Sequence, residues 1–566
     1  MLRAGDTLGV RTWARSGEPW IWFTAAAVGI SIAAVVGILL LIAARGFAHF
    51  WPAPVALIGH QDIFGTVQTT LGEIADTERL PVGQFLEGNP AAGDALPGEL
   101  LQVERWLIKT GNRRAAPPDF RWIVAHLVEE VRHPDDVVVL ERVEWGNAYG
   151  FLRSVHEGER LVSEGEAAWQ ALQPRIERVA GLRDRIGELE QGRLFSINYR
   201  LEQLRLERRA LRLRALEDAA LRNAAFAIDE AEAGLEAEYA VAEAELRELR
   251  SELARDAIRL EIADGQQLDI SLAEIVRAWR PNAMTTLGRL GHYAESFWLF
   301  LSQPPREANT EGGIFPALFG TVMMVLLMSV LVTPFGVVAA VYLREYARQG
   351  PFVRLIRIAV NNLAGVPSIV YGVFGLGFFV YFLGGSLDAL FFPEALPAPT
   401  FGTPGLLWAS LTLALLTVPV VIVSTEEGLT RIPRSLREGS LALGATRAET
   451  LFKVVLPVAS PSILTGVILA VARAAGEVAP LMLVGVVKLA PALPVDDNFP
   501  YLHVERKFMH LGFHIYDVGF QSPNVEAARP LVYATALLLV ILIVFLNLAA
   551  IMLRSRLENR YRGVEG

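Results

Sequence analysis

The chain has 566 residues, of which 52% are apolar and 20% charged, and its mean hydropathy is +0.35. This composition is too apolar for a soluble protein and too charged for one that lies wholly in a bilayer, so we predict a part-membrane, part-aqueous chain. The net charge of −9 gives no support to nucleic-acid binding, and the lack of cysteine excludes disulfides, iron–sulfur clusters and thiolate zinc sites.

Six apolar segments are long enough to cross a hydrocarbon layer of about 30 Å as helices. They lie near residues 21–44, 316–342, 358–383, 405–424, 461–487 and 531–553. The first segment is longer than a signal-peptide core and is followed by no Ala-x-Ala site, so we expect it to be retained. The sequence therefore predicts a mostly α-helical, multi-pass membrane protein with six spanning helices.

Arginines in the short flanking segments predict the orientation of these helices. They are Arg3, Arg11, Arg15, Arg344, Arg348, Arg354, Arg357, Arg431, Arg434, Arg437, Arg447, Arg554, Arg556, Arg560 and Arg562. The loop 384–404, on the opposite side, carries no Lys or Arg. We therefore expect both termini, including residues 554–566, in the cytoplasm and the long segment 45–315 outside an inner (plasma) membrane.

Residues 45–315 form a large extracytoplasmic insert between the first two helices. A small β or α+β lobe is predicted over 45–156, because FRWIVAH at 120–126 and DVVVLERVEW at 136–145 combine β-branched and aromatic residues. Residues 263–315 are expected to return the chain to the membrane through a strand and an amphipathic segment at 268–281.

Between these parts, residues 157–262 predict a coiled-coil arm. Apolar residues alternate in steps of four and three at Leu235, Tyr239, Ala242, Leu246, Leu249 and Leu253, and in an earlier seam at Ile197, Leu201, Leu204 and Leu211, which Arg208 interrupts. Two such helices could pair antiparallel, with the turn at Gly192 or Gly234. The arm is either a stiff spacer without chemistry or a docking element for an extracytoplasmic partner.

The third and fourth apolar segments carry polar residues whose role the sequence leaves open. Asn361 and Asn362 precede a helix-breaking Pro367, and they could line a substrate pathway or serve helix packing. Glu426 and Glu427 follow the fourth segment, where they would be solvated or would contact a cytoplasmic partner.

The loop before the fifth segment, EGSLALGATRAETLFKVVLP at 438–457, predicts a helix, a turn at Gly444 and a second helix that stops at Pro457. An apolar face suited to a groove on a soluble partner would consist of Leu441, Leu443, Leu451 and Val455. The alternative is an ordinary amphipathic loop.

The fifth segment contains two opposite charges, Arg473 and Glu477, which a continuous helix over 464–485 would place on one face. Each charge at a helix centre costs about 2.5 to 3.5 kcal/mol on insertion scales, which favours a functional site over an accidental one. A guanidinium offers a planar fork of donors to an oxyanion, and a carboxylate accepts a hydrogen bond from an anion that still carries a proton, as phosphate does and sulfate does not. A self-satisfied pair that locks helix packing is the alternative.

The outer loop 488–530 carries three histidines and an aspartate, namely His503, His510, His514 and Asp517. No further ligand pattern accompanies them, so we predict no metal site and no cofactor bound by this chain.

The segment 438–457 resembles the cytoplasmic coupling loop of ABC importer permeases, with Glu438, Gly444, Leu456 and Pro457 in register. Departures are Gly439 and Ser440 for two alanines and Val454 for isoleucine. Together with GGIFPALFGT, NNLAGVPSIVYG and RAAGEVAPLMLVG in order, the chain resembles the PstA-type permeases of phosphate ABC importers over about residues 310–553. The insert 45–315 departs from that pattern, because short members have only a brief outer loop there.

The resemblance implies a type I importer permease that forms a heterodimeric pore with a second, related permease. Two cytoplasmic ATPase subunits would supply ATP hydrolysis and an extracytoplasmic phosphate-binding protein would deliver substrate, with Arg473 and Glu477 in its path. The chain has no G-x-x-x-x-G-K-[ST] loop and so is not expected to be an enzyme. Two alternatives stay open: a permease for another oxyanion such as sulfate or molybdate, and a membrane-anchored signalling scaffold with the arm as sensor.

Overall fold

The computed structural model describes residues 17–62, 65–90, 100–213, 219–522 and 525–561. Within these ranges, six helices are long and apolar enough to cross a membrane, which confirms the predicted six-helix core. Their spans are Trp20–Ala48, Phe315–Tyr346, Ser368–Phe391, Leu406–Arg431, Arg447–Gly476 and Ala528–Arg556. The predicted cytoplasmic arginines at positions 3, 11, 15 and 562 lie outside the described residues.

Five of the six spanning helices are built from several regular pieces or extend beyond the span. The pieces are the α-helices Glu18–Ala48, Phe315–Val341, Ser368–Phe374, Gly385–Phe391, Leu406–Arg431, Arg447–Thr450, Leu456–Gly476 and Val525–Tyr561, with π-helical segments at Tyr342–Tyr346, Gly375–Gly384 and Leu451–Val455. Shorter helices between the spans are Pro351–Leu363, Arg434–Ala442, Leu481–Val484 and Leu511–Tyr516, the last followed by a π-helical segment at Asp517–Gln521.

The fourth spanning helix is the centre of the membrane core. It packs against the second and fifth helices through an apolar cluster that includes Met328, Leu413 and Ala470. Gly336 of the second helix is required for this contact, because a Cβ there would lie 2.5 Å from a Val421 methyl group. The first helix is peripheral and packs on the sixth. The two helices approach closely at Gly46, where a Cβ would lie 2.9 Å from the Tyr533 carbonyl oxygen.

The third spanning helix begins later than predicted. Pro367 cannot continue a helix and disfavours the α conformation of the residue before it, so the chain breaks between Leu363 and Ser368. Asn361 and Asn362 consequently lie at the end of the separate helix Pro351–Leu363, and the predicted single helix over 358–383 is wrong.

The lobe of the insert consists of two antiparallel sheets. In spatial order, the first sheet contains Phe120–Val124, Gln102–Lys109, Val67–Pro81, Val55–Gln61 and Val128–Arg132, with the short helix Val82–Gly88 after its longest strand. The second contains Gln267–Ser271, Asp256–Glu261, Ala148–Glu157, Val137–Arg142 and Ile275–Trp279, and Arg160–Glu164 also pairs with Ala148–Glu157. Val55, Val137 and Tyr149 belong to the apolar cluster between the sheets.

The arm is inserted into the second sheet, so the boundaries predicted for it differ from the structure. Strand Asp256–Glu261, after the arm, pairs with Ala148–Glu157, before it. The lobe therefore extends to Trp279 instead of ending at residue 156, and both ends of the predicted arm range 157–262 are strands. The helix Thr286–Ser302 and the hairpin Pro305–Arg306 with Glu311–Gly312 then lead into the second spanning helix.

The arm is an antiparallel helical hairpin. One side is the helix Glu166–Gly187, a π-helical segment Glu188–Leu194 and the helix Phe195–Leu213; the other side is the helix Ala219–Leu253. Ion pairs cross between the two sides from base to tip, including Arg178–Asp256 (2.9 Å) and Arg250–Glu190 (2.6 Å).

Neither predicted turn residue of the arm forms the turn. Gly192 and Gly234 both lie inside helical segments, and the described residues of the two sides end at Leu213 and begin again at Ala219. Arg208, which interrupts the predicted seam, pairs with Asp229 and Glu232 of the opposite helix, so a cross-hairpin ion pair replaces an apolar contact there.

Candidate functional site

The Arg473–Glu477 ion pair lies where the fifth spanning helix ends. The α-helix stops at Gly476, and Glu477 has extended backbone angles (φ −83°, ψ 127°). The prediction that a continuous helix carries both residues is therefore wrong, because Gly476 and Pro480 interrupt the helix. The two side chains nevertheless approach, with Arg473 Nε 3.5 Å from Glu477 Oε1.

The break after Gly476 lies inside the helix bundle. The short helix Leu481–Val484 is buried and belongs to the apolar cluster of the fourth spanning helix. A Cβ on Gly372 would lie 2.7 Å from the Pro480 Cα, so only glycine allows the third helix to approach so closely. The ion pair thus lies beside a chain segment held between the third and fourth helices.

The ion pair is only partly covered by this chain. Its side chains keep 34% (Arg473) and 24% (Glu477) of their surface exposed, at the end of the fifth spanning helix. The guanidinium therefore has donors left for a further anion, and the carboxylate has a free acceptor edge. A charged surface of this kind in a bilayer requires a polar path or a second protein subunit beside it.

The predicted amides lie near this site without bonding to it. Asn361 and Asn362 are exposed, and no hydrogen bond joins their side chains to Arg473 or Glu477 in the described ranges. Tyr371 of the third spanning helix is tied to the helix that carries the amides, because its hydroxyl donates to the Leu363 carbonyl (2.6 Å). Sequence reasoning missed Tyr371, since one tyrosine in an apolar run carries no pattern.

The segment 438–457, which we call the coupling loop, contains the predicted turn. The helix Arg434–Ala442 is followed by a turn at Gly444, whose φ of +87° would strain any residue with a Cβ. The next helix starts with a capping box, in which the Thr446 hydroxyl accepts from the Glu449 amide (3.2 Å) and the Glu449 carboxylate accepts from the Thr446 amide (2.9 Å). Glu438 is exposed on the first helix.

Pro457 does not stop the second helix of the coupling loop, contrary to the prediction. The helix continues through Leu456 and Pro457 into the fifth spanning helix, after the π-helical segment Leu451–Val455. Proline has no amide to donate and its ring clashes with the carbonyl four residues earlier in a regular α-helix. The wider π turn before Pro457 relieves both conflicts, so the part of the coupling loop from Arg447 onward and the fifth spanning helix form one continuous helical rod.

The apolar face predicted for a partner is only half correct. Leu451 and Val455 are buried against Leu429 and Ile432 inside the chain, and Val455 is 2% exposed. The side chains that remain exposed are Leu441, Leu443 (91% exposed) and Phe452. These three define the apolar surface of the coupling loop.

Arg437 anchors the coupling loop to the membrane helices. Its guanidinium donates to the carbonyls of Leu429 (2.8 Å) and Ile432 (3.0 Å), where the fourth helix ends, and to the Glu345 carboxylate (2.9 Å), where the second helix ends. Sequence reasoning used Arg437 only as a cytoplasmic charge. Nearby, Glu426 pairs with Arg357 (3.3 Å), so it is not simply solvated.

The histidines of the outer loop have separate environments. His503 lies between Asp496 and Glu505, 3.1 Å from each, whereas His514 is 2% exposed and neither of its ring nitrogens has a hydrogen-bond partner. Burial lowers the pKa of His514 to about 4. Across the described ranges, no three His, Cys, Asp or Glu side chains are placed to hold a metal ion.

A cavity of about 440 Å³ lies between the lobe and the first and sixth helices, away from the Arg473–Glu477 pair. Its charged walls are largely paired with each other. Arg277 lies 2.6 Å from Glu141, and Glu73 faces Lys109 as its cross-strand partner. Both pairs join neighbouring strands of the lobe, so these charges serve contacts within the two sheets.

A family match and two related proteins agree on the kind of protein to which this chain is similar. Residues 332–563 match the family described as "binding-protein-dependent transport system inner membrane component". The "phosphate transport system permease protein PstA" of Mycobacterium leprae is 37% identical over 199 residues, which are 34% of this chain and 60% of that protein. The "phosphate transport system permease protein PstA 1" of Mycobacterium tuberculosis strain H37Rv is 35% identical over 253 residues, 44% of this chain and 72% of that protein.

Solved structures add a weaker similarity. A chain of the inward-facing MetNI methionine ABC transporter is 21% identical and covers 46% of this chain and 98% of its own length, at a TM-score of 0.32. A score this low supports no argument about the site.

Proposed function

Because this chain belongs to the binding-protein-dependent transport system inner membrane components, we propose that it is a permease subunit of an ABC importer that carries inorganic phosphate into the cytoplasm. It is a multi-pass membrane protein and a transport subunit, with ATP hydrolysed by other chains. The choice of phosphate as the substrate in this proposal comes from the names of the two PstA relatives. The region that this chain shares with the first of them covers 60% of that relative's length.

The observation that carries the proposal is the partly exposed Arg473–Glu477 pair inside the bundle. Phosphate at neutral pH has both charge for the guanidinium and a hydroxyl that can donate to a carboxylate. Sulfate has no hydroxyl, so it would leave Glu477 facing an anion without a proton between them. The pair therefore favours phosphate over sulfate or molybdate.

The proposed partners follow from which surfaces the chain leaves uncovered. A second, related permease would cover the membrane face with Arg473 and Glu477 and complete a pore. Of two cytoplasmic ATPases, one would receive the apolar surface of Leu441, Leu443 and Phe452 of this chain in a groove. An extracytoplasmic binding protein would deliver phosphate, with both termini of this chain in the cytoplasm and residues 45–315 outside.

In the proposed mechanism, ATP-driven closure of the ATPases moves the coupling loop, and two contacts transmit that motion. The rod that joins the coupling loop to the fifth helix moves Arg473 directly, because the helix is unbroken from Arg447 to Gly476. Arg437 moves the ends of the second and fourth helices. The path would then open alternately to each side as a rigid-body change.

The experiment that tests the function is radiolabelled phosphate uptake at micromolar substrate. Cells that lack their own high-affinity system would express this chain with its partner subunits, as wild type, Arg473→Ala and Arg348→Ala. Arg348 is an exposed arginine of a cytoplasmic-side loop and serves as the charge-matched control.

Uptake that resists excess sulfate, survives in Arg348→Ala and is lost in Arg473→Ala supports the proposal. Uptake of labelled sulfate or molybdate in place of phosphate would favour a different oxyanion. A correctly inserted wild-type complex that transports none of these anions would instead favour a signalling scaffold.

A further inference from the structure

The arm contacts the membrane core at a point far from its base. In the helix Phe195–Leu213, the Ser196 hydroxyl donates to Asn498 Oδ1 (3.0 Å) and the Tyr199 hydroxyl donates to the Phe499 carbonyl (2.9 Å). Both acceptors lie in the outer loop 493–508, between the fifth and sixth spanning helices. The arm is thus attached to the core about 300 residues away in sequence.

Two ring contacts extend this attachment. The Tyr199 ring lies 5.7 Å from the His503 ring in an edge-on arrangement. The Arg506 guanidinium lies 5.5 Å from the centre of the Phe195 ring, within cation–π distance. All the arm residues in these contacts fall within one turn and a half of a single helix.

The outer loop 493–508 is itself held rigidly by polar contacts. Asp496 forms an ion pair with Arg506 (2.6 Å) and lies 3.1 Å from one nitrogen of the His503 ring, and Glu505 lies 3.1 Å from the other nitrogen of that ring. The Arg506 guanidinium also donates to the Leu493 carbonyl (2.8 Å). A displacement of His503 or Arg506 is therefore transmitted through these contacts to the rest of the loop.

The loop 493–508 lies directly on the segment that follows Glu477. The Leu406 amide donates to the Arg506 carbonyl (2.9 Å), and the Phe508 amide donates to the Gly485 carbonyl (3.2 Å). A Cβ on Gly405 would lie 2.3 Å from the Glu505 carbonyl oxygen, and one on Gly485 would lie 2.6 Å from the Gly405 oxygen. These backbones are in direct contact. A displacement of the outer loop 493–508 would therefore also displace Gly485, the last residue of the segment 477–485.

The base of the arm is fixed to the lobe. Ala168, Leu172 and Ile176 are buried with the second sheet, and the Arg183 guanidinium donates to the Ala273 (3.1 Å) and Ile275 (3.0 Å) carbonyls. The arm therefore spans two anchored points, the lobe at its base and the outer loop through Phe195 and Tyr199.

We propose that the arm is an extracytoplasmic brace, in which Phe195, Ser196 and Tyr199 position the outer loop 493–508 and, through Gly405 and Gly485, the segment 477–485 beside Arg473. These are positioning residues, since they are separated from the pathway by the loop they hold. The brace rests on the proposed transport function and assigns a role to the insert: the lobe and arm keep the outer side of the path in its transport-competent arrangement.

The lack of cysteine in the chain allows a reversible test. Ser196→Cys with Asn498→Cys replaces two side chains whose polar atoms are 3.0 Å apart, so an engineered disulfide would reproduce the docking. The test variant is Phe195→Ala with Tyr199→Ala, which removes the ring contacts and one hydrogen bond. Arg205→Ala is the matched control, since Arg205 is exposed on the same helix and pairs only with Glu202.

The first readout is backbone hydrogen exchange of residues 496–506 in the purified complex, which does not depend on transport. We expect the double alanine variant to exchange about tenfold faster than wild type and Arg205→Ala to match wild type, in line with the loss of several weak contacts. Unchanged exchange in the double alanine variant overturns the brace, whatever the transported substrate proves to be.

The second readout is phosphate uptake with and without a reductant. The double alanine variant should lose most uptake, and adding both cysteines should restore uptake under oxidising conditions and lose it again on reduction. A folding defect would not reverse in this way. Two results overturn the brace: full uptake in the double alanine variant, or loss of uptake when the disulfide forms in an otherwise wild-type chain, which would mean that the contact has to open.

Failure of the brace and failure of the proposed function give different results. If wild type transports no phosphate but hydrogen exchange responds as expected, the docking stands and the substrate assignment fails. If wild type transports phosphate but neither readout responds to the arm variants, the function stands and the brace fails.

Discussion

Arg437, the residue directly before the coupling loop, lies 2.9 Å from Glu345 at the end of the second spanning helix, and the same guanidinium donates to the Leu429 carbonyl at the end of the fourth helix. One side chain therefore joins the surface proposed to receive the ATPase to two of the helices that must move. We expect Arg437→Ala to reduce uptake about tenfold or more while the ATPase still co-purifies, because two carbonyls and a carboxylate lose their donor at a cost of about 1–3 kcal/mol each.

The measurement for Arg437 is uptake per ATP hydrolysed in reconstituted vesicles, with Arg434→Ala as control. Arg434 is an exposed residue of the same helix. Arg437→Lys should recover only part of the ratio, since an ammonium cannot serve three acceptors with fork geometry. An unchanged ratio in Arg437→Ala would show that motion reaches the core only through the rod of the fifth helix.

Arg473→Lys is predicted to reduce phosphate uptake about tenfold or more despite keeping the charge. Lysine lacks the planar fork that can bind an oxyanion and Glu477 together. KM and maximal rate would be measured for phosphate, with Arg348→Lys as the matched replacement. Wild-type kinetics for Arg473→Lys would indicate that the residue serves helix packing alone.

Gly444→Ala is predicted to weaken binding of the ATPase. The φ of +87° at Gly444 costs a residue with a Cβ about 1–2 kcal/mol, although no atom lies within 4 Å to clash with the added methyl. The strain would move the two helices of the coupling loop relative to each other. Co-purification of the ATPase and the melting temperature of the complex would be measured.

Gly439→Ala is the control for this prediction, because Gly439 lies inside the helix Arg434–Ala442 with open space around it. Alanine there should be neutral or stabilise the helix by about 0.5–1 kcal/mol. Equal effects of the two substitutions would refute the role of the turn.

His514 is predicted to make the protein less stable as the pH falls from about 6.5 towards 4. Burial lowers its pKa from 6.5 to about 4, so the unfolded chain binds more protons than the folded chain between those values. At pH 5 the loss would reach about 2 kcal/mol. His510, with a pKa also lowered to about 4 by burial, acts in the same direction.

The test compares melting temperatures at pH 7 and pH 5 for wild type, His514→Phe and His133→Gln. Phenylalanine keeps the ring while removing two nitrogens that lack partners, and His133 is exposed. His514→Phe should show a smaller decrease between the two pH values than wild type, and His133→Gln should match wild type. An equal decrease in all three would assign the acid sensitivity to other groups.

The number of spanning helices and the turn at Gly444 could be predicted because both depend on local physics. A bilayer requires about twenty apolar residues per crossing, and six such runs are present. A glycine between two amphipathic stretches predicts a turn without any tertiary information.

The helix breaks were harder to predict because each proline has a different outcome. Pro367 ends a helix, Pro457 is absorbed by a π turn, and Pro480 follows a break at Gly476. The difference comes from neighbouring helices, such as the close contact of Gly372 with Pro480, and the sequence of one segment does not contain it.

The role of the arm was also beyond the sequence because its contacts are made over long distances. Tyr199 and Phe499 are 300 positions apart, and neither residue belongs to a motif. The return of the chain to the lobe at strand Asp256–Glu261 also depends on a residue range that is distant in sequence, because this strand pairs with Ala148–Glu157.

The two ends of the arm leave the lobe from strands Arg160–Glu164 and Asp256–Glu261, which pair with opposite edges of Ala148–Glu157. Glu164 lies opposite Ser154 and Asp256 lies opposite Glu157, so the two exits are separated by two strand spacings of about 4.8 Å and by three residues along the central strand, which is about 14 Å in all. Strands Arg160–Glu164 and Asp256–Glu261 run parallel to each other on either side of Ala148–Glu157, so the chain that joins them must cross one face of the sheet. The arm is this crossover connection, and a chain without the arm would need a linker on the order of a dozen residues to keep the same sheet register.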